Sequence, residues 1–212
     1  MKLDCMVLAN WGQMSPGSYE FGEKTLLTGE SGSGKSTVLD AIQTVMTAAY
    51  PGIYSYNPGQ DEVTQGQRRG GKTKRTLESF IVGADRNSFS RVDGAHGYVA
   101  PVFRPDVNED SAKTFTAIVA VSARVDGSGD RRDAKLERLE LIIVDDAALS
   151  LDDFMVDVDG GEYVAVEDIV RRLTVAKAES AAGVSLHALQ EQTEARHIEL
   201  SNYGDISWTL LT

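Results

Sequence analysis

The chain opens on a period-two pattern, in which Leu3, Cys5, Val7 and Ala9 alternate with Lys2, Asp4 and Met6, as in a strand with one buried face. A short apolar run, Lys24-Thr25-Leu26-Leu27-Thr28, predicts a second, buried strand. From Ser36 to Ala49 there is neither Gly nor Pro, and Val38, Leu39, Ile42, Val45, Met46 and Ala49 recur at helical spacing. An amphipathic helix is expected there, stopped by Pro51-Gly52. Asn57 to Lys74 is rich in turn residues and predicts an exposed excursion. Leu77 to Val82, Gly97 to Phe103, Phe115 to Val125 and Leu136 to Val144 then predict strands, separated by Gly, Asp and Asn clusters. Consecutive strands without intervening helices imply an antiparallel layer. Further on, Ser150 is placed to cap a turn through Phe154, and Val166, Ile169, Val170 and Leu173 mark a helix. Ala178 to Glu199 predicts a weaker helix interrupted by Gly183.

Between the second strand and the first helix lies Gly29-Glu30-Ser31-Gly32-Ser33-Gly34-Lys35-Ser36-Thr37, a full G-x-x-x-x-G-K-[ST] phosphate loop. Glycines let successive backbone N–H groups turn inward to phosphate oxygens, a geometry that a Cβ obstructs. Lys35 supplies charge to the β- and γ-phosphates, and the Ser36 hydroxyl is the expected Mg²⁺ ligand. ATP and Mg²⁺ are therefore the expected ligands, with Gly29 to Thr37 as their site. A chance match in a Gly/Ser linker would not sit between an apolar run and an amphipathic helix.

Composition narrows the setting. The 212 residues suffice for one domain with an appendage, and no run approaches the roughly 18 apolar residues of a membrane span. Asp4 stands where a secretory signal would build its apolar stretch, and Cys5 is the one cysteine, so a cytoplasmic location is expected. A net charge of −11 argues against a surface that coats nucleic acid, so any DNA contact must be local. Arg68, Arg69, Lys72, Lys74 and Arg75 concentrate five positive charges within nine residues shortly after the phosphate-loop helix, and are the candidates for touching either nucleotide phosphate or DNA backbone, the alternative being a solvated loop.

Other constellations carry less. Leu141-Ile142-Ile143-Val144-Asp145-Asp146 imitates the apolar strand and acid of a Walker B motif, yet apolar strands ending in acidic turns are common, and no catalytic residue is assigned. Asp157-Val158-Asp159-Gly160-Gly161-Glu162 lacks the third acid and the Glu at the twelfth position of a calcium loop and is expected to be a β-turn. His96, His187 and His197 show no metal-ligand spacing.

Asn10-Trp11 after the first strand, Phe21-Gly22, the run Leu26 to Gly29, the phosphate loop and Asp40-Ala41-Ile42 together resemble the N-terminal end of the SMC, RecN and SbcC group of ABC-type ATPases. Arg68 to Phe80, with Phe103, Phe115-Thr116-Ala117 and Leu149 to Phe154, is similar to the MukB-like branch, nearest to the MksB (JetC) subunits of Wadjet plasmid-defence systems. The resemblance implies an α/β P-loop NTPase fold of ABC/SMC type: an N-terminal head lobe with an added antiparallel β layer. It spans residues 1–175, leaving 176–212 as a helical or irregular extension. It further implies a partner C-terminal lobe carrying signature, Walker B Asp and catalytic Glu, a second head in a homodimer, kleisin-type and accessory subunits, and DNA, with no membrane. Arg75 would then reach the nucleotide, while Arg68, Arg69, Lys72 and Lys74 would face DNA. Neither Leu-Ser-Gly-Gly nor a Glu after Asp145 occurs in the sequence, so hydrolysis by this chain alone is expected to be negligible. The alternatives are a stand-alone phosphotransferase using Asp145 and Arg75, or a nucleotide-dependent interaction module.

Overall fold

The computed structural model describes residues 1–50, 53–56, 75–85, 88–105, 113–128, 132–157, 161–180, 195–199 and 207–211, with 175–180 and the last two segments described by backbone alone. Strand β1 (Lys2–Ala9) and the short β2 (Gly17–Glu20) form a hairpin ahead of the phosphate loop. Helices α1 (Lys35–Met46) and α2 (Leu77–Ile81) follow, then the two-residue strands β3 (Ala84–Asp85) and β4 (Ser88–Phe89). Three long strands come next, β5 (Ala95–Arg104), β6 (Phe115–Asp126) and β7 (Asp133–Asp145). They pair antiparallel in the order β2-β1-β5-β6-β7, the antiparallel layer that the sequence predicts.

The sheet is a middle layer, not an outer one. Met6 and Leu8 of β1 face one apolar cluster with Trp11, Val38, Ala41, Val45 and Phe80, while Val7 and Ala9 face another with Phe154, Val166, Ile169 and Leu173. The expectation of one buried face for β1 is thus corrected: both faces are covered over Met6 to Ala9. The second face is closed by a 3-10 turn at Leu151–Phe154, the hairpin β8 (Met155–Asp157) and β9 (Glu162–Tyr163), a 3-10 turn at Val166–Asp168, and α3 (Ile169–Ser180). Ser150 is the N-cap as expected, in a capping box with Asp153, whose Oδ2 accepts from the Ser150 N–H at 2.8 Å. In the β8–β9 connection Gly161 N–H bonds Asp157 O at 3.1 Å, four residues back where the β-turn expected over Asp157 to Glu162 would bond three back, and residues 158–160 lie outside the described residues.

Three further expectations fail. Lys24 to Thr28 forms no strand: β2 and β5 already occupy both sides of β1, and Leu26 is 84% exposed while Leu27 turns inward. Leu77 to Ile81 is a helix, because Leu77, Phe80 and Ile81 are its buried positions, spaced for a helix, and Thr76 with Ser79 forms a capping box. Residues 178–199 are not one helix. Helix α3 ends at Ser180, and β10 (Ala195–Glu199) pairs antiparallel with β11 (Ser207–Leu211), which runs parallel to β7.

Helix α1 also ends early, at Met46, through Ala48 and Ala49 in left-handed conformations. Its buried positions are Val38, Asp40, Ala41, Thr44 and Val45, whereas Leu39 and Met46 of the predicted stripe are 50% and 66% exposed. The stripe is rotated because polar side chains take part in burial: Thr44 Oγ1 donates to Tyr56 Oη at 3.0 Å, and Tyr54 donates to Asp40.

Candidate functional site

The phosphate loop bends through left-handed glycines, with φ of 147° at Gly29, 87° at Gly32 and 89° at Gly34. At Gly32 an added Cβ would meet nothing within 4 Å, so there the conformation alone selects glycine and the open side is free for a ligand. At Gly34 both reasons apply, because a Cβ would stand 2.4 Å from Met14 Sδ. Gly34 is the N-cap of α1, brings no side-chain acceptor, and is followed by no acidic residue in the first turn. The N–H groups of that turn therefore face outward as an anion seat, supported by the helix dipole. Lys35 Nζ lies across the loop, donating to Gly29 O at 2.7 Å, Glu30 O at 2.6 Å and Ser33 Oγ at 3.3 Å. The loop is pre-shaped around its cation. Gly29 to Ser33 and Ser36 are exposed, so phosphate and a phosphate-bound Mg²⁺ have access to them.

Behind the loop, the turn after β1 is wedged against α1. Trp11 is fully buried, donates from its indole to Thr37 O at 2.9 Å, and stacks on Phe80 with centroids 4.4 Å apart. Tyr56 meets Phe80 edge-on at 5.1 Å, and burial pushes its hydroxyl up to about 12. The Arg75 guanidinium lies 5.4 Å from the Phe80 ring centroid. Arg75 is thus near the loop, one ring removed from Trp11, but bonds no residue of 29–37. The expected DNA-facing residues Arg68, Arg69, Lys72 and Lys74 lie outside the described residues.

Sequence reasoning misses Met14 and Arg91. Arg91 bonds Asn10 Oδ1 and Gly12 O, and burial lowers its pKa while Tyr163 opposes the shift. Tyr163 is raised by burial, with Arg91 opposing. Neither Met14 nor Arg91 belongs to a spaced motif; Asn10-Trp11 is the one local signal of a specialised turn.

Asp145 and Asp146 are not brought to the loop. Ala9, where the chain leaves the sheet toward the site, is in register through Tyr98 and Ala120 with Glu140. Asp145 lies five residues further along β7, about 16 Å toward the opposite end, and three strand spacings across, about 14 Å. Asp146 bonds Lys113 at 2.9 Å there. The phosphotransferase alternative loses its acid. His96 serves the fold, its Nδ1 accepting from Val166 N–H at 3.4 Å. Among the described residues no group of three His, Cys, Asp or Glu is arranged to hold a metal.

A family described as the P-loop containing region of AAA domain matches residues 3–60. That span holds β1, β2, the phosphate loop and α1. No curated protein and no solved structure matches the chain. The chain therefore carries a nucleotide-binding P-loop region in an α/β fold whose core is a five-stranded antiparallel sheet. Among the described residues no helix is long and apolar enough to cross a membrane.

Proposed function

We propose that the chain is the ATP-binding N-terminal lobe of an SMC-like ATPase head of the MukB-like branch, working in the cytoplasm after it joins a C-terminal lobe and a second head. The observation that carries this is residues 24–28: they lead into a fully formed phosphate loop, yet pair with no strand among the described residues, and Leu26 is 84% exposed. A segment of this kind is completed by a strand from elsewhere. The backbone amides of Gly29 to Gly34 and Lys35 hold the phosphates, and Ser36 holds Mg²⁺. When bound, the metal neutralises charge on the β- and γ-phosphates. The acid that orients water comes from the complementing lobe, since Asp145 and Asp146 stand at the far end of the sheet. Arg75 reaches the nucleotide once the heads engage, whereas Arg68, Arg69, Lys72 and Lys74 touch DNA laid across them. The work so powered is DNA loading, extrusion or plasmid restriction, together with kleisin-type and accessory subunits.

Calorimetric titration with ATP and Mg²⁺ tests the core of this reading. Wild type should bind, Lys35→Ala should not, and Ser36→Ala should weaken the Mg²⁺ dependence more than nucleotide binding itself. Equal affinity in wild type and Lys35→Ala would sink the assignment.

A further inference from the structure

Four hydrogen bonds converge on Arg91, a residue just beyond β4 that no motif announces. Its Nε donates to Asn10 Oδ1 at 3.0 Å, Nη2 to Gly12 O at 2.9 Å, and Nη1 to Gly12 O and to Ser90 Oγ, both at 3.3 Å. Gly83 makes room for this grip, because a Cβ there would stand 2.0 Å from Ser90 Oγ and 2.3 Å from Arg91 Nη1. None of these acceptors is a carboxylate, so the half-buried guanidinium keeps its positive charge unneutralised beside the turn.

What Arg91 holds is the turn at residues 10–12. Asn10 adopts φ of 50°, unusual for a residue with a side chain, and Gly12 adopts 58°. The Asn10 amide donates to His96 O at 2.8 Å, and Gly12 N–H donates to Phe80 O at 2.9 Å. The turn is therefore fixed by β5 on one side, α2 on another and Arg91 from behind. It is also the piece that touches the phosphate loop, through Trp11 on Thr37 O, Gly12 beside Thr37 Cγ2, and Met14 on Gly34. A planar fork suits two acceptors at fixed angles; a lysine ammonium has no such fork.

We propose that Arg91 is a positioning residue for the phosphate loop, fixing turn 10–12 so that Trp11 and Met14 hold the first turn of α1 and Gly34 in anion-binding geometry. This rests on the reading of Gly29 to Thr37 as an ATP site. Arg91→Met removes fork and charge, Arg91→Lys removes the fork alone, and Asn10→Gly frees Arg91 Nε while tolerating the left-handed backbone.

The test combines calorimetry with ATP and Mg²⁺ and hydrogen exchange on the ligand-free full chain. Arg91→Met should weaken ATP binding roughly tenfold or more, the scale of a charge-assisted hydrogen bond, with Arg91→Lys and Asn10→Gly losing less. Amide protection should fall in residues 10–14 and 29–37 and hold in β5 to β7. Wild-type affinity in Arg91→Met overturns the proposal, as does protection lost evenly across the sheet. Should Arg91→Met fail to fold, unchanged affinity and unchanged protection in Asn10→Gly overturn it instead. A wild type that binds no ATP refutes the nucleotide site and this role together, whereas a wild type that binds and variants that bind equally well refute the role alone.

Discussion

Lys35 is held by three acceptors of its own loop before any phosphate arrives, so binding exchanges one set of oxygens for another with little movement of the cation. Such pre-organisation depends on the glycines, and Gly34 is the sharpest test. Gly34→Ala forces a Cβ into a φ of 89° and to 2.4 Å from Met14 Sδ. The conformational part is worth about 1–2 kcal/mol, and the steric part is relieved when the flexible Met14 swings away. The single variant is expected to lose thermal stability and ATP affinity. Adding Met14→Ala should recover the steric share and leave the conformational one. Unfolding midpoint and ATP affinity both unchanged in Gly34→Ala would contradict this. The loop itself was legible because phosphate chemistry dictates residue types at fixed spacing. Met14 and Arg91 were not, since Met14 reaches Gly34 from the turn after β1 and Arg91 holds that turn from beyond β4, and no local pattern encodes such contacts.

At the scale of elements, burial against a particular neighbour decided between helix and strand. Leu77 to Val82 is a short apolar run that fits either period, and the capping box that settles it uses Ser79 in place of the more usual Glu or Gln. Ser79 Oγ accepts from Thr76 N–H at 3.0 Å. Ser79→Ala, which removes the acceptor of the Thr76 N–H, is therefore expected to destabilise the chain by about 1 kcal/mol in chemical denaturation, and with α2 it should loosen the Phe80 ring beneath Trp11. A denaturation midpoint equal to wild type would show that the cap contributes nothing. The long strands β5 and β6 and the second half of β7 were readable because both their faces meet apolar layers and the segments between them carry Gly, Asp and Asn. Residues 24–28 read as a strand by composition, yet a strand exists only beside a partner that accepts its hydrogen bonds. The outward half of α1 was misplaced for a related reason: Leu39 and Met46 look like core residues, and the described chain offers nothing to cover them.

Across the whole molecule, these exposed groups and the placement of the acids point the same way. Two apolar layers sandwich the sheet, so stability does not depend on Leu26, Leu39 or Met46. The acids that mimic a Walker B motif stand at the end of the sheet away from the phosphate loop. If these apolar groups instead form part of a joint with a complementing lobe, replacing them separates stability from association. Leu26→Ser and Met46→Ser are expected to change the unfolding free energy by no more than about 0.5 kcal/mol, as for surface substitutions. The same variants should weaken capture of a C-terminal SMC-type lobe, and with it the ATP turnover that the lobe confers, because that lobe would lose apolar contacts it alone provides. Asp146→Asn, far from the nucleotide, should leave both ATP binding and turnover of the joined lobes as in wild type. The measurements are thermal unfolding of the chain alone and steady-state hydrolysis after adding the lobe. Robust hydrolysis by the chain alone that Asp146→Asn abolishes, or a large stability loss in Leu26→Ser, would mean that the chain is self-sufficient and that no second lobe completes it.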